Sequence, residues 1–352
     1  MFLALKEIQH EKLRYGLITL MFILISYLIM ILMGMMLGLA HENTAAIDSW
    51  GTQTVFLSKN SNDSLSQSLI SQEKRPNYRP DHMATIGVAP AVAKQGKDKE
   101  NVQFVGLNRN EFIFRDKLQL TAGRKAQNNR EVVTDQSLKN KGFKIGDQLR
   151  LNSQGPKLKI VGFVKNAQLS VAPVVYGSLT SWRQLRSVQP NIVGSALISD
   201  QAMSTATAPK LQHYTVKQFV NKLPGYSAQN TTFTFMIGFL MIISLVIIAV
   251  FLYILTIQKL PHFAVLRAQG IPAKNLISST IYQSLLLVAV GAAGGILLTL
   301  LTKQVLPEGL PMEINWLAIA GLSLALLVLG IIGALLPVRV IAKIDPVAAL
   351  NQ

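Results

Sequence analysis

The chain has 352 residues, half of them hydrophobic and 15% charged, with 34 Lys and Arg against 18 Asp and Glu for a net charge of +16. Its apolar residues gather in four long uncharged blocks, a distribution that excludes an ordinary soluble domain. It has no cysteine, which excludes disulfides, a thiol nucleophile and thiolate metal sites.

In chain order, residues 1–16 (MFLALKEIQHEKLRYG) place Phe2, Leu5, Ile8 and Leu13 at helical spacing, with Lys6, Lys12 and Arg14 on the polar side. This predicts an amphipathic helix lying on the inner membrane surface. Residues 17–40 form the first apolar block. The alternative, a signal peptide cleaved after the small residues Gly38 and Ala40, conflicts with an apolar run well above the 7–15 residues of a signal core. Residues 232–257, 276–301 and 316–337 are the other three blocks. None of the four contains Asp, Glu, Lys, Arg or His, and each exceeds the roughly 18–20 residues that cross a hydrocarbon core. The fold class expected is an integral membrane protein with four transmembrane helices.

Residues 41–231 are the large insertion between the first two spans. They hold 25 Lys and Arg against 13 Asp and Glu, a basic surface that suits anionic headgroups or wall polymers, or is simply solvated. Nucleic acid is not expected, because basic and aromatic residues do not interleave as base-stacking surfaces do. Strands are expected at residues 101–108, 142–151 and 158–165, with turns at Gly146-Asp147 and Gly155-Pro156. Helical segments are expected at 64–73, 135–141 and 179–188, and a loop at 199–210. About 190 residues suffice for one α+β domain.

Between the second and third spans lie residues 258–275. Pro261 suits a first helical turn, Gly270 a left-handed stop and Pro272 a block to continuation, so a short basic helix carrying Lys259, His262, Arg267 and Lys274 is predicted. With Lys6, Lys12 and Arg14 before the first span and Arg339 and Lys343 after the fourth, this loop places both termini inside and residues 41–231 outside. Residues 302–315, with one Lys against Glu308 and Glu313, form the short external loop, and residues 338–352 the cytoplasmic tail. Gly34 with Gly38, and Gly291 with Gly295, have the spacing that lets membrane helices approach closely.

Catalytic chemistry has no footing. There is no GxxxxGK[S/T] phosphate loop, no His-Glu-x-x-His, no Gly-x-Ser-x-Gly and no ionisable residue inside a span. No intrinsic cofactor or metal is expected. A docking helix without an energy source implies a partner that supplies the work.

Three segments resemble the FtsX/MacB-type permeases, the membrane subunits of ATP-binding-cassette (ABC) transporters: residues 3–15 (LALKEIQHEKLRY), 263–277 (FAVLRAQGIPAKNLI) and 337–350 (PVRVIAKIDPVAAL). The resemblance covers the whole chain. It implies a homodimer, two copies of a separate cytoplasmic ATPase that binds ATP, and mechanical coupling through Pro261, His262, Phe263, Leu266, Arg267 and Gly270. One departure stands out: the acidic residue common in the coupling segment is missing, its neighbourhood here being Gln258, Pro261 and His262. Arg267 also reads as a lipid-headgroup anchor.

Within that family the chain looks most like the haem-exporting permeases of Gram-positive bacteria, which implies a porphyrin site at the junction of spans and external domain, in the plasma membrane. Met36, His41, Glu42, Tyr176 and Tyr226 are the candidate substrate residues. Their plainer readings are packing for the methionine, a solvated helix end for His41 and Glu42, and an interfacial anchor for Tyr226. A cell-division-type signalling scaffold that activates a wall hydrolase, and a lipoprotein- or peptide-handling permease, are the competing functions.

Overall fold

A computed structural model describes residues 12–77, 79–96, 98–152, 157–307 and 310–342. Residues 1–11 of the expected helix over 1–16 lie outside the described residues, as do the Gly155-Pro156 turn and the end of the C-terminal motif from residue 343; residues 12–16 are helical and continuous with the first span. Contacts divide the chain into two compact units, Leu39–Gln229 and the rest.

The helical unit contains four helices long and apolar enough to cross a membrane. They are α1 (Lys12–Ser49), whose residues to Gly38 belong here, then α5 (Tyr226–Gln258), α7 (Ala273–Val305) and α8 (Trp316–Gly333). The helices α2 to α4 belong to the other unit. Two short helices complete this one: α6 (Leu260–Ala268) and α9 (Leu335–Ala342). Its core is formed by Tyr15, Phe22, Ile29 and Met30 of α1, Ile248 and Leu252 of α5, Leu287 of α7 and Leu326 of α8. The outer surface is equally apolar. On α1, Leu13, Leu17, Leu20, Leu24 and Leu28 are all about half exposed or more, at the i, i+3, i+4 spacing of one helix face. An exposed stripe of this kind is stable in lipid and unstable in water. Polar bonds that tie the helices include Tyr27 Oη to Thr302 Oγ1 at 2.8 Å, and Ser284 Oγ donating to the Gly330 carbonyl at 2.7 Å.

The other unit is an α+β domain. Its strands are β1 (Thr54–Ser58), β2 (Ile70–Ser71), β3 (Met83–Gln95), β4 (Asp98–Leu107), β5 (Leu120–Gly123), β6 (Glu131–Asp135), β7 (Gln148–Leu151), β8 (Lys157–Val164), β9 (Gln168–Leu169), β10 (Ala172–Ser178), β11 (Ile192–Gly194), β12 (Ala196–Ser199) and β13 (Leu211–Thr215). Three short helices intervene: α2 (Gln136–Asn140), α3 (Leu179–Arg186) and α4 (Val216–Asn221). The strand order is β13-β1-β12-β3-β4-β10-β6-β8-β5, with β4–β10 and β6–β8 parallel. The short β7 pairs with both β3 and β8, so β3, β4, β10, β6, β8 and β7 close into a ring.

That closure explains the sequence pattern. Neighbouring residues of β4, β10, β6 and β8 enter one or the other of two cores. Phe104, Val132, Ile160 and Val175 lie in one cluster with Trp182, whereas Val105, Val133, Val161, Val174 and Tyr176 lie in a second with Ala46, Ile47 and Trp50 of the α1 end. Strands apolar on both faces read as continuous hydrophobic runs. Trp182 needs the bare backbone of Gly87, where a Cβ would stand 2.3 Å from its ring. Its indole N–H donates to the Val88 carbonyl at 3.1 Å, avoiding the ~1–3 kcal/mol of a buried unsatisfied donor.

The expected strands at 101–108 and 158–165 and the helices at 135–141 and 179–188 are present, whereas of the strand expected over 142–151 only β7 is extended and residues 142–147 form turns. The segment 64–73 forms no α-helix: it forms turns, the short β2 and the start of a 3₁₀ turn at Gln72–Lys74. Ser68 Oγ accepts from the Ser58 N–H at 2.9 Å, and Ser64 and Ser66 bond each other, so serine side chains compete with the helix ladder for backbone groups.

Glu131 shows how the ring's rim is held. Both its oxygens accept from Arg124 at 2.7 Å, and one also accepts from the Gln127 N–H at 2.8 Å. Chiefly through the guanidinium, its pKa is pulled down to about 2. A depressed folded value stabilises the fold above the unfolded pKa, and that stabilisation is lost as pH falls through the folded one. Glu131→Gln is therefore expected to lower the thermal midpoint at neutral pH. The gap from wild type should close as pH falls from 4.5 towards about 2, read by circular dichroism of the full chain in detergent. A gap independent of pH would show that packing, not charge, sets the effect.

Candidate functional site

The short helix α6 follows α5 after Lys259, and Pro261 sits in its first turn. Its end is a Schellman motif: Gly270, at φ +90°, donates to the Arg267 carbonyl at 3.0 Å, and Ile271 to the Leu266 carbonyl at 3.1 Å. Pro272 then caps α7. The inward face of α6 is apolar, since Phe263 and Ala264 are buried with Leu276 of α7 and Ile341 of α9, and Leu266 packs against them. Of the residues expected to couple to an ATPase, Phe263 and Leu266 thus anchor the helix within its own unit. Pro261, His262 and Val265 form the exposed face. Arg267 is partly buried, and its Nε is enclosed without a hydrogen-bond partner among the described residues.

At the root of α6, Lys259 Nζ donates to Tyr15 Oη at 2.8 Å and lies 5.4 Å from the centre of that ring. Arg14 donates to Gln258 Oε1. These contacts tie α6 to the start of α1. Sequence analysis missed them because no local pattern links residues 244 positions apart.

Close approach of backbones is visible at the paired glycines. A Cβ on Gly291 would lie 2.6 Å from Phe22 Cβ, and one on Gly295 2.8 Å from Ser26 Cβ and 2.9 Å from the Tyr27 nitrogen. Gly34 and Gly38 differ from the expectation of helix-on-helix packing. They face the extended segment before α8, where Glu313 N–H donates to the Gly34 carbonyl at 3.1 Å and a Cβ on Gly38 would meet the Pro311 carbonyl oxygen at 2.5 Å.

The candidate substrate residues divide between the units. Met36 packs at the edge of the helical core, with Thr234 Oγ1 at 4.0 Å from its sulfur. His41 and Glu42 belong to the sheet unit, where the Glu42 and Asn43 carbonyls accept from Val171 and Ser170 at 3.2 Å. Asp135 and Lys141 lie within electrostatic reach of Glu42. Tyr226 is partly buried against the sheet unit's core. Tyr176 lies inside that core at 2% exposure, its hydroxyl accepting from Trp50 Nε1 at 3.0 Å. Burial pushes its pKa up, so it is a neutral core phenol.

Four helices long and apolar enough to cross a membrane, a sheet-rich domain inserted after the first, and a short helix between the second and third define a multi-span membrane protein with one large inserted domain. Residues 234–346 match the family of the FtsX-like permease C-terminal region. Over its whole length the chain is similar to a Staphylococcus epidermidis protein that carries the name hemin transport system permease protein HrtB, with 26% identity over 350 residues and 99% of each chain covered. A Staphylococcus haemolyticus protein of the same name is 23% identical over 351 residues, again covering 99% of each. Among solved structures, the extracellular domain of the noncanonic ABC-type transporter YknZ from Gram-positive bacteria covers 44% of this chain and 85% of its own, at 14% identity and a TM-score of 0.31.

Proposed function

We propose that this chain is the permease subunit of an ABC efflux system that moves haem or a related amphiphile out of the membrane by mechanotransmission. The observation that supports it most is the end-to-end similarity to two staphylococcal HrtB proteins. On this reading two copies of the chain pair with two copies of a cytoplasmic ATPase in the plasma membrane of a Gram-positive bacterium. Both termini are cytoplasmic and the sheet unit is extracellular.

The ATPase docks on the exposed face of α6. Arg267 would donate to an acceptor on the partner, completing a buried polar group that otherwise costs about 1–3 kcal/mol. ATP-driven approach of the two ATPases then moves α6 and, through its apolar anchor of Phe263, Ala264 and Leu276, the spans on either side of it. Haem is cargo. Met36, His41, Glu42 and Tyr226 supply the donors proposed to meet it, Tyr176 being committed to the core.

A haem titration of the purified chain in detergent, read by the Soret band, tests the cargo. A saturable shift at about one haem per protomer or dimer is expected, weakened roughly tenfold in the His41→Ala, Glu42→Ala, Tyr226→Ala triple variant through loss of axial ligation. Absence of a shift, in protein shown to stimulate its ATPase, would leave the permease and remove haem.

A further inference from the structure

We propose that the sheet unit carries a groove for a phosphodiester polyanion, a polymer of polyol phosphate units. Two hollows make it. One, of about 660 Å³, is flanked by Arg130, Lys157 and Lys159, and the other, of about 460 Å³, by Arg109 and Arg183. Asn129 and Thr180 line both, so the two run together around the start of α3.

The charge is unopposed. No Asp or Glu lines either hollow among the described residues. Glu131, next in sequence to Arg130, is taken up by Arg124. Among the described residues the Arg109 guanidinium donates to neutral groups, the Gln127 carbonyl and Asn129 Oδ1, and Arg183 Nε donates to the Ile192 carbonyl at 2.8 Å. Arg130, Lys157 and Lys159 form no ion pair among the described residues. Five cations around one concave surface, with no internal acid, repel one another and favour any anion that joins them.

The groove is also held in shape. Asn128 Oδ1 accepts from the Arg130 N–H at 2.9 Å, the Arg130 carbonyl accepts from the Lys159 N–H at 2.7 Å, and Ser181 Oγ donates to the Asn129 carbonyl at 2.7 Å. These bonds fix the turn between the hollows to β8 and α3, so little ordering is left to binding.

The lining selects the class of anion. Beside the cations stand amides and hydroxyls such as Gln148, Gln184 and Thr180, while Leu107 and Leu158 are buried in the fold at 3% and 1% exposure. The third apolar side chain of the lining, Leu179, is partly buried against the core that holds Trp182, so the lining offers no fully exposed apolar anchor of the kind an acidic peptide or a porphyrin would use. Phosphates and free hydroxyls, alternating along a flexible chain, match what is present. The polymer is available to this surface only if the sheet unit lies outside the cell, as proposed above, but binding itself is read on the purified chain.

The test is fluorescence anisotropy of labelled poly(glycerol phosphate) with the full chain in detergent. Saturable, salt-sensitive binding is expected, with Arg130→Glu and Lys159→Glu together weakening it about tenfold or more. The control Lys59→Glu with Lys217→Glu makes the same charge change at the opposite, β1/β13 edge of the sheet, and should alter binding by no more than about twofold. No binding, or an equal loss in both pairs, overturns the proposal. Poly-glutamate competing as well as the polymer would replace it by an acidic protein partner. Phosphatidylglycerol vesicles binding with the same sensitivity would replace it by a lipid surface. A chain that takes up no haem yet binds the polymer leaves this proposal standing and removes only the haem reading.

Discussion

Arg267→Glu is expected to abolish stimulation of the partner ATPase by this chain while leaving haem binding unchanged. The side chain is partly buried and its Nε is enclosed without an acceptor among the described residues. The helix that carries it is clamped to the rest of its unit by Phe263, Ala264, Leu276 and Ile341. Reversing a charge in a docking pair of this kind costs about 2–5 kcal/mol, well beyond a tenfold loss. Phe263→Ala makes the contrast: it removes the anchor and should uncouple ATP hydrolysis from transport, with the ATPase still bound. Co-purification and ATPase turnover in reconstituted complexes separate the two. Loss of haem binding together with ATPase stimulation in Arg267→Glu would show that the substitution had disrupted the helical unit as a whole.

Gly295→Leu is expected to destabilise the spans strongly. Even a methyl there would sit 2.9 Å from the backbone nitrogen of Tyr27, so α1 and α7 must separate. Separation would also break the 2.8 Å bond between Tyr27 and Thr302. Overpacking of a close helix contact costs about 1–3 kcal/mol, and the lost contacts along the seam add to it. Gly321→Leu is the control, because nothing lies within 4 Å of a Cβ at that position. Thermal stability and monodispersity in detergent should fall in the first variant and hold in the second. Equal behaviour of the two would show that α1 and α7 do not approach at Gly295.

Some of this was readable before any coordinates. The length of each apolar block against the thickness of a bilayer dictates four spans, because no other structure hides so much backbone in lipid. The α6 boundaries were legible for a local reason: Pro261, Gly270 and Pro272 act on their own dihedral angles and neighbouring hydrogen bonds. The Gly291 and Gly295 pair was legible as a close seam, since small residues four apart share a helix face. Gly34 and Gly38 share that spacing but meet an extended segment, and spacing alone names the face, never what covers it.

The rest depended on contacts between distant residues. Tyr176 is a conspicuous phenol in an apolar run; only the pairing of β10 between β4 and β6 puts it inside the core against Trp50. The groove's five cations lie on β8, on α3 and in two loops, up to 74 positions apart in the chain, Arg109 to Arg183, so no window of sequence displays them together. Closure of the ring by β7 is likewise invisible locally, because one four-residue strand reads the same whether it has one neighbour or two. By itself, then, the sequence determined the spans, the short helix between the second and third of them and the strand-rich insertion, whose signals are local or set by length. The tertiary structure decided which residues face a core, which face each other and which stand free, because pairing register and side-chain direction are settled only when distant elements compete for the same burial.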